Sequence, residues 1–324
     1  VHQSPSLDAS APASHVRLLA RVARMYYERD LTQQQIADQL GLSQARVSRL
    51  LKEAGERGIV RSIVVIPDGV HTDLEEALER RFGLMDAVVV DTAGASDIGR
   101  ALGVAAAAYL DVALAGADVV GVSSWSGSLV AAVEAMRPRA QAGASLVVQM
   151  FGGVGDPAVQ MQATRLTGRL AEVLRAQPLY VPSPALVGSK RTRTAMMADP
   201  AMEPVVAAWE RMGVCLVGIG TLEPSPLLRS SGNAVSEEQA DELRSAGAVG
   251  DICLRYFDAA GRHVASAVDE RLLGMSEAAI RAVPRRIAVA GGEGKQAAIR
   301  AALLGGWVST LITDAESAAA LVSS

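Results

Sequence analysis

Beyond Gly83 the chain alternates short apolar runs with longer amphipathic stretches, and this alternation constrains the fold more than any other feature. Ala87–Asp91, Asp118–Ser123, Ser145–Met150, Leu179–Pro182, Val214–Ile219, Ile252–Phe257, Arg286–Ala290 and Thr310–Thr313 read as strands. Ile98–Ala115, Ser126–Met136, Pro157–Ala176, Ser236–Ser245 and Lys295–Leu304 read as helices between them. Near-continuous apolar strands separated by helices imply an open, mostly parallel α/β sheet covered on both faces. Half of the 324 residues are hydrophobic but only 3% are aromatic, so Ala, Val, Leu and Ile must build the core.

The first 66 residues follow another pattern. Leu18, Leu19, Val22 and Met25 share one helical face. In LTQQQIADQLGLSQARVSRLLKEAGERGIV, Thr32 and Gln35 have the spacing of a capping box, which predicts a short helix with Ile36, Ala37 and Leu40 inward. Gly41 allows the left-handed turn that stops it. Ser43 caps a second helix running to about Gly55, with Val47, Leu50, Leu51 and Ala54 on one face. Two short helices joined by a tight Gly turn, the second exposing a polar-basic face, predict a helix-turn-helix, with Ile59–Ile66 as a short wing. Arg reads guanine edges and Gln reads adenine edges, so Gln44, Ala45, Arg46, Ser48 and Arg49 are assigned to the major groove of double-stranded DNA. Lys52 and Thr32 are assigned to its backbone, and Ser43 at the cap completes the DNA-facing set. The alternative is a small helical docking domain with a solvated basic face.

Charge supports this division. From Ser14 to Ile66 nine basic residues face five acidic ones, while residues 67–324 carry −7 within an overall −4 that also counts Asp8. A basic head on an acidic body points to a polyanion partner for the head alone. Residues 1–13 read as a disordered tail, 14–66 as the DNA-binding domain, 67–83 as a break and charged linker helix, and 84–324 as the second domain.

Cys215 and Cys253 lie in apolar runs and read as buried thiols of a reducing cytoplasm. The four histidines show no metal-ligand spacing, so no metal and no cofactor is expected. No signal-peptide core and no membrane-length apolar run is present, which points to a cytoplasmic protein without a membrane partner.

Four strand ends in the body carry small residues: GVSSWSGSL at 121–129, QMFGGVGD at 149–156, VGIGTLEP at 217–224 and VAGGEGKQ at 289–296. Ligands of open parallel sheets bind outside the carboxyl ends of the strands, where small residues let backbone amides approach an anion. Four ordinary strand-to-helix turns are the alternative. Enzyme motifs fail on spacing. Gly153–Ala158 matches GxGxxA but lies outside a first βαβ unit. GGEGKQ lacks the Walker glycine and hydroxyl, and neither Ser123 nor Ser126 sits in a nucleophile elbow. Lys295, one of three lysines, stands at a helix start with donors for a phosphate, and Asp251 could accept sugar hydroxyls; a surface salt bridge is the competing reading for each. Asp269-Glu270-Arg271 reads as a turn or a subunit contact.

LTQQQIADQLGLSQARVSRLLKEAGERGIV, VVGVSSWSGSL, VGIGT, GDICLRYFD, DERLLGM and RIAVAGGEGKQAAIRAALLGGWVSTLITD together resemble the SorC family of sugar-responsive bacterial transcriptional regulators, over nearly the whole chain. The resemblance implies a large domain with the fold of sugar-phosphate isomerases that binds its carbohydrate without converting it, in a homotetramer. It implies effector contacts from Ser123, Ser124, Ser126, Gly127, Ser128, Gly152, Gly153, Gln162, Gly220, Thr221, Asp251 and Lys295. The chain departs from the family by its Ser-Ser-Trp-Ser-Gly-Ser loop, where a single Ser-Trp-Gly is familiar. No lysine lies between Lys52 and Lys190, so the imine used by some members is not expected and binding is read as non-covalent. Met150 and Phe151 stand where certain members place an Arg for a second phosphate, which favours an effector with one phosphate or none. An isomerase-like enzyme with an appended nucleic-acid domain is the rival, with Asp251 and Glu293 as its acid-base candidates. A ligand-free structural DNA-binding protein is the third reading.

Overall fold

The computed structural model describes residues 13–60, 70–92, 95, 97–139, 143–153, 157–225, 228–229 and 234–323, without the side chains of 13 and 157–163. The chain divides into two compact units, Val1–Ile66 and Pro67–Ser324. Most of the expected tail, the later part of the expected wing and the break at 67–69 lie outside the described residues.

The described residues of the smaller unit hold three helices, α1 (Ala13–Tyr27), α2 (Gln33–Leu40) and α3 (Gln44–Glu56). The Thr32 capping box is complete, and Gly41 closes α2 at φ +64°. Ser43 accepts from Arg46 N at the start of α3. Leu19, Val22, Met25, Ile36, Ala37, Val47, Leu50, Leu51 and Ala54 form one buried cluster, so each amphipathic face packs as its periodicity requires. Leu18 and Leu40 flank it, half-buried. His15 on α1 reaches Glu53 on α3 at 2.9 Å.

In the larger unit seven described strands form one parallel sheet in the order β1-β9-β8-β5-β2-β3-β4. They are β1 (Asp86–Val90), β2 (Val119–Val122), β3 (Leu146–Gln149), β4 (Gln177–Leu179), β5 (Val214–Val217), β8 (Arg285–Val289) and β9 (Thr310–Asp314). Two large clusters of Val, Leu, Ile and Ala cover its two faces. One edge is β4, where Pro178 is tolerated because an edge strand leaves one side without a ladder. The other edge is β1. The helix Thr72–Phe82, expected as a linker, buries Leu78 against this sheet. Its Glu79 and Glu75 carboxylates accept from Ala87 N at 3.1 Å and Val89 N at 2.9 Å, occupying outward amides that would otherwise recruit another strand.

The run Ile252–Phe257 corrects the strand expectation. It is not one strand of the main sheet but the bend of an antiparallel hairpin, β6 (Ala248–Ile252) with β7 (Arg255–Asp258). Cys253 and Leu254 form the two-residue turn, both left-handed at φ +54° and +61°. Such turns match the twist of a hairpin but favour Asn or Gly, so periodicity alone hid this one. Two side chains held there cost about 1–3 kcal/mol each, and such strain collects at ligand sites. Asp269 secures the hairpin from outside, ion-paired at 2.7 Å to the buried Arg255 of β7. Asp269-Glu270-Arg271 is therefore the end of a short helix, Ala267–Arg271, rather than a turn.

Candidate functional site

Sheet order locates the site. The chain leaves β2 towards β3 and β4 on one side, and leaves β5 towards β8 and β9 on the other. β2 and β5 are neighbours, so their carboxyl ends flank the topological switch point, where connections diverge and open a crevice. A cavity of about 270 Å³ lies there. Ser123, Trp125, Ser126, Gly127 and Ser128 line it after β2, and Gly218, Ile219, Gly220 and Thr221 after β5. Cys253, Leu254 and Asp251 of the hairpin line it too, and Lys295 reaches it from the loop after β8.

The β2 loop becomes a cradle because Ser126 N-caps the helix Gly127–Ala135, accepting from Leu129 N. The amides of Gly127 and Ser128 have no partner among the described residues and stand at the positive end of that helix. Ser123 is nearly buried and stands beside the Cys253 thiol. Both thiols are buried and free, and burial pushes Cys215 up to about 12 and Cys253 higher still. They are inert as nucleophiles at neutral pH.

Asp251 and Lys295 carry the charge at the cavity floor. Burial pushes the Asp251 carboxyl up to about 6, against the Leu254 amide and the nearby Lys295 charge, which favour ionisation. The Leu254 amide donates to Asp251 Oδ2 at 2.9 Å. Burial lowers the Lys295 ammonium, with Asp251 opposing, and its Nζ donates to Ile219 O at 2.9 Å.

Three expected contacts do not line the cavity. Ser124 is fully buried beneath it, its Oγ without a partner among the described residues. Gly152 donates to Leu273 O, and a side chain there would overlap the main chain of Ser183 and Pro184. Gly153 faces the Gln149 amide. Gly152 and Gly153 after β3 therefore serve packing, and among the described residues that strand end contributes Phe151 alone. In the loop after β8, Gly291 leaves room for the buried Asp314 carboxylate, which accepts from Gly292 N at 2.7 Å. The Gln162 side chain lies outside the described residues.

Sequence reasoning missed Asp97, Gly99 and Arg100, which border the cavity at the start of the helix Ile98–Ala113. Asp97 caps that helix through Arg100 N. The Arg100 guanidinium is exposed and has no partner among the described residues. The available signal was Gly99 and Gly103, four apart. Both face the helix Gly127–Ala135, where a side chain would press on Ser128 or Ala131, so the two helices approach closely and bring Arg100 to the cavity mouth. Asp251, Gly220 and Thr221 all line the cavity, whereas Glu293 is exposed and outside its wall.

In the smaller unit, Gln44, Ala45, Arg46, Ser48, Arg49 and Lys52 are all exposed on α3, opposite its buried face. Thr32 and Ser43 are exposed caps.

A helix-turn-helix carried in one chain with an α/β unit, whose switch-point cavity is lined by hydroxyls and charges, defines a ligand-controlled DNA-binding transcriptional regulator. Residues 69–323 match the Sugar-bind family of sugar-binding domains, and residues 20–57 match region 4 of sigma-70. The chain is 34% identical to the deoxyribonucleoside regulator of Bacillus subtilis (strain 168) over 309 residues, 95% of this chain and 97% of that protein. It is 32% identical to the sorbitol operon regulator of Klebsiella pneumoniae over 313 residues, 95% and 98% of the two chains. The crystal structure of the full-length sorbitol operon regulator SorC from Klebsiella pneumoniae superposes with a TM-score of 0.71 at 29% identity, covering 96% of this chain and 100% of that one. The chain belongs to the SorC family of sugar-responsive transcriptional regulators.

Proposed function

We propose that the cavity between the ends of β2 and β5 binds one carbohydrate effector without a covalent bond, and that its occupancy sets the affinity of the head for operator DNA. One observation carries this reading: five hydroxyls, two free amides, three carboxylates and two cations surround a cavity of about 270 Å³. Asp251, Ser123 and Thr221 suit the hydroxyls of a sugar or polyol. Gly127 N, Ser128 N, Ser128 Oγ and Arg100 make one anion seat, so the effector carries at most one phosphate. The names of the relatives, a sorbitol operon regulator and a deoxyribonucleoside regulator, fall within this chemical range.

The effector residues are Ser123, Ser126, Gly127, Ser128, Gly220, Thr221, Asp251 and Lys295, joined by Arg100. Gln44, Ala45, Arg46, Ser48 and Arg49 read bases, while Thr32, Ser43 and Lys52 hold the backbone. The protein binds its carbohydrate without turning it over; the position of Glu293 outside the cavity, away from Asp251, supports this reading. It works in the cytoplasm as a homotetramer. No helix of the described residues is long and apolar enough to cross a membrane. Control requires that the effector bind the DNA-competent and incompetent arrangements with different strength.

The test is thermal melting of the full chain against sugars, polyols and their monophosphates, followed by release of operator DNA by whichever compound raises the melt. A raised melt with released DNA and unchanged compound supports the reading. Turnover that Asp251→Asn abolishes would replace it with the isomerase reading.

A further inference from the structure

The body is acidic, −7 over residues 67–324, yet one of its helices is strongly basic. Lys190–Met197 carries Lys190, Arg191 and Arg193 with no acidic residue, and none of its side chains is fully buried. An isolated helix of two turns is marginal in water, so this one depends on what covers it. Among the described residues Ser189 caps it, Lys190 meets the exposed Glu270 at 2.9 Å, and Arg193 Nε donates to Leu272 O at 2.8 Å. Met196 and Met197 pack on the core yet stay half-exposed. Arg191 is exposed with no partner among the described residues.

A second helix, Glu237–Ser245, has the opposite character. Glu237, Glu238, Asp241 and Glu242 are exposed, and only Asp241 has a described cationic partner, Arg244. The two helices flank one small apolar cluster. Leu243 of the acidic helix and Val268 of Ala267–Arg271 belong to it, and the basic helix is tied to Ala267–Arg271 through Glu270. Leu186 just before the basic helix and Val235 just before the acidic one pack on this cluster, both half-exposed.

We propose that this face docks a second copy of the chain, with the basic helix of each copy against the acidic helix of the other. A face with one positive and one negative half is complementary to itself under a two-fold rotation, which is how most homo-oligomers pair. The charges set register and orientation, since exposed ion pairs add little stability. Covering Met196, Met197, Leu186 and Val235 supplies the apolar burial. Operator DNA is the less suited occupant, because the surrounding unit is acidic and Glu270 already offsets Lys190. The proposal rests on the homo-oligomer reading and names its surface.

Analytical ultracentrifugation of the full chain tests it with two variants, Lys190→Glu with Arg191→Glu, and Glu237→Lys with Glu238→Lys. Each alone is expected to weaken self-association about tenfold or more, by setting like charges face to face. An equimolar mixture of the two is expected to re-associate, because each variant's altered helix then meets its opposite in the other. Misfolded chains could not rescue one another, so the mixture separates an interface from a folding defect. Unaltered self-association in both variants, or failure of the mixture to re-associate, overturns the proposal. So does a loss of affinity for a mixed-sequence 30-base-pair duplex in the first variant with self-association unchanged, which would give the face to DNA. A monomeric wild type overturns the oligomer reading along with the surface.

Discussion

Gly220 and Asp251 exchange main-chain hydrogen bonds in both directions, at 3.0 Å and 3.2 Å, and the Asp251 carboxylate occupies the space that a side chain on residue 220 would need. This pair ties the end of β5 to the hairpin and aims a carboxylate into the cavity. Gly220→Ala is therefore expected to destabilise the fold by about 1–3 kcal/mol and to remove the effector-induced rise in melting temperature. Gly294→Ala, which meets open space in the same region, should leave both unchanged. Melting scans of both variants with and without effector check this.

Asp251 also predicts a pH dependence. Its carboxyl rises from 3.8 to about 6 on folding, so the folded chain holds that proton more tightly than the unfolded chain. The contribution to stability is full below about pH 4 and is lost as pH rises through about 6, a change on the order of 3 kcal/mol. Urea unfolding of wild type and Asp251→Asn from pH 4 to 7 should show this slope in the wild type alone. A difference between the two proteins that stays constant with pH would contradict it.

Lys295→Met leaves Ile219 O without its donor and removes the cation near Asp251. Effector affinity should fall at least about tenfold, a loss of about 1.4 kcal/mol or more. The Asp251 transition should move to higher pH, because a favourable positive charge is gone. Calorimetric titration and the same urea series report the two effects separately.

In the head, Lys52→Ala and Arg49→Ala should separate backbone contact from base reading. Loss of one phosphate contact lowers the salt slope of binding by about 0.9 and weakens all sequences alike. Loss of a bidentate base contact costs about 1–3 kcal/mol on the preferred sequence. Lys52→Ala is expected to do the first and Arg49→Ala the second, with the effector-induced melt shift intact in both. Fluorescence anisotropy over a salt series on selected and random duplexes distinguishes them.

Gly103→Val should push the helix Ile98–Ala113 away from Gly127–Ala135, since the added atoms meet Ser128 O and Ala131. A destabilisation of about 1–3 kcal/mol is expected, together with weaker binding of phosphorylated effectors as Arg100 moves off. Comparing a sugar phosphate with its parent alcohol in both proteins measures the second effect.

Sequence alone determined the elements whose cause is local. The Thr32 capping box, the Gly41 turn, the exposed basic face of α3 and the short apolar strands all follow from periods and caps within a few residues. It also placed Ser123, Gly220, Thr221 and Lys295 in the loops at strand ends, where a parallel sheet must present them, whereas Asp251 reaches the cavity from the antiparallel hairpin. Only the tertiary structure decided which strand ends meet. Sheet order puts β2 beside β5 and makes theirs the switch point, while Gly152 and Gly153 after β3 turn to packing. It set the Cys253-Leu254 turn in left-handed backbone, which neither residue favours by itself. It brought Arg100 to the cavity through the close approach of two helices. The reason is range: caps and periods act over one or two turns of chain, whereas these features depend on contacts between residues far apart in sequence, whose energies no local pattern records.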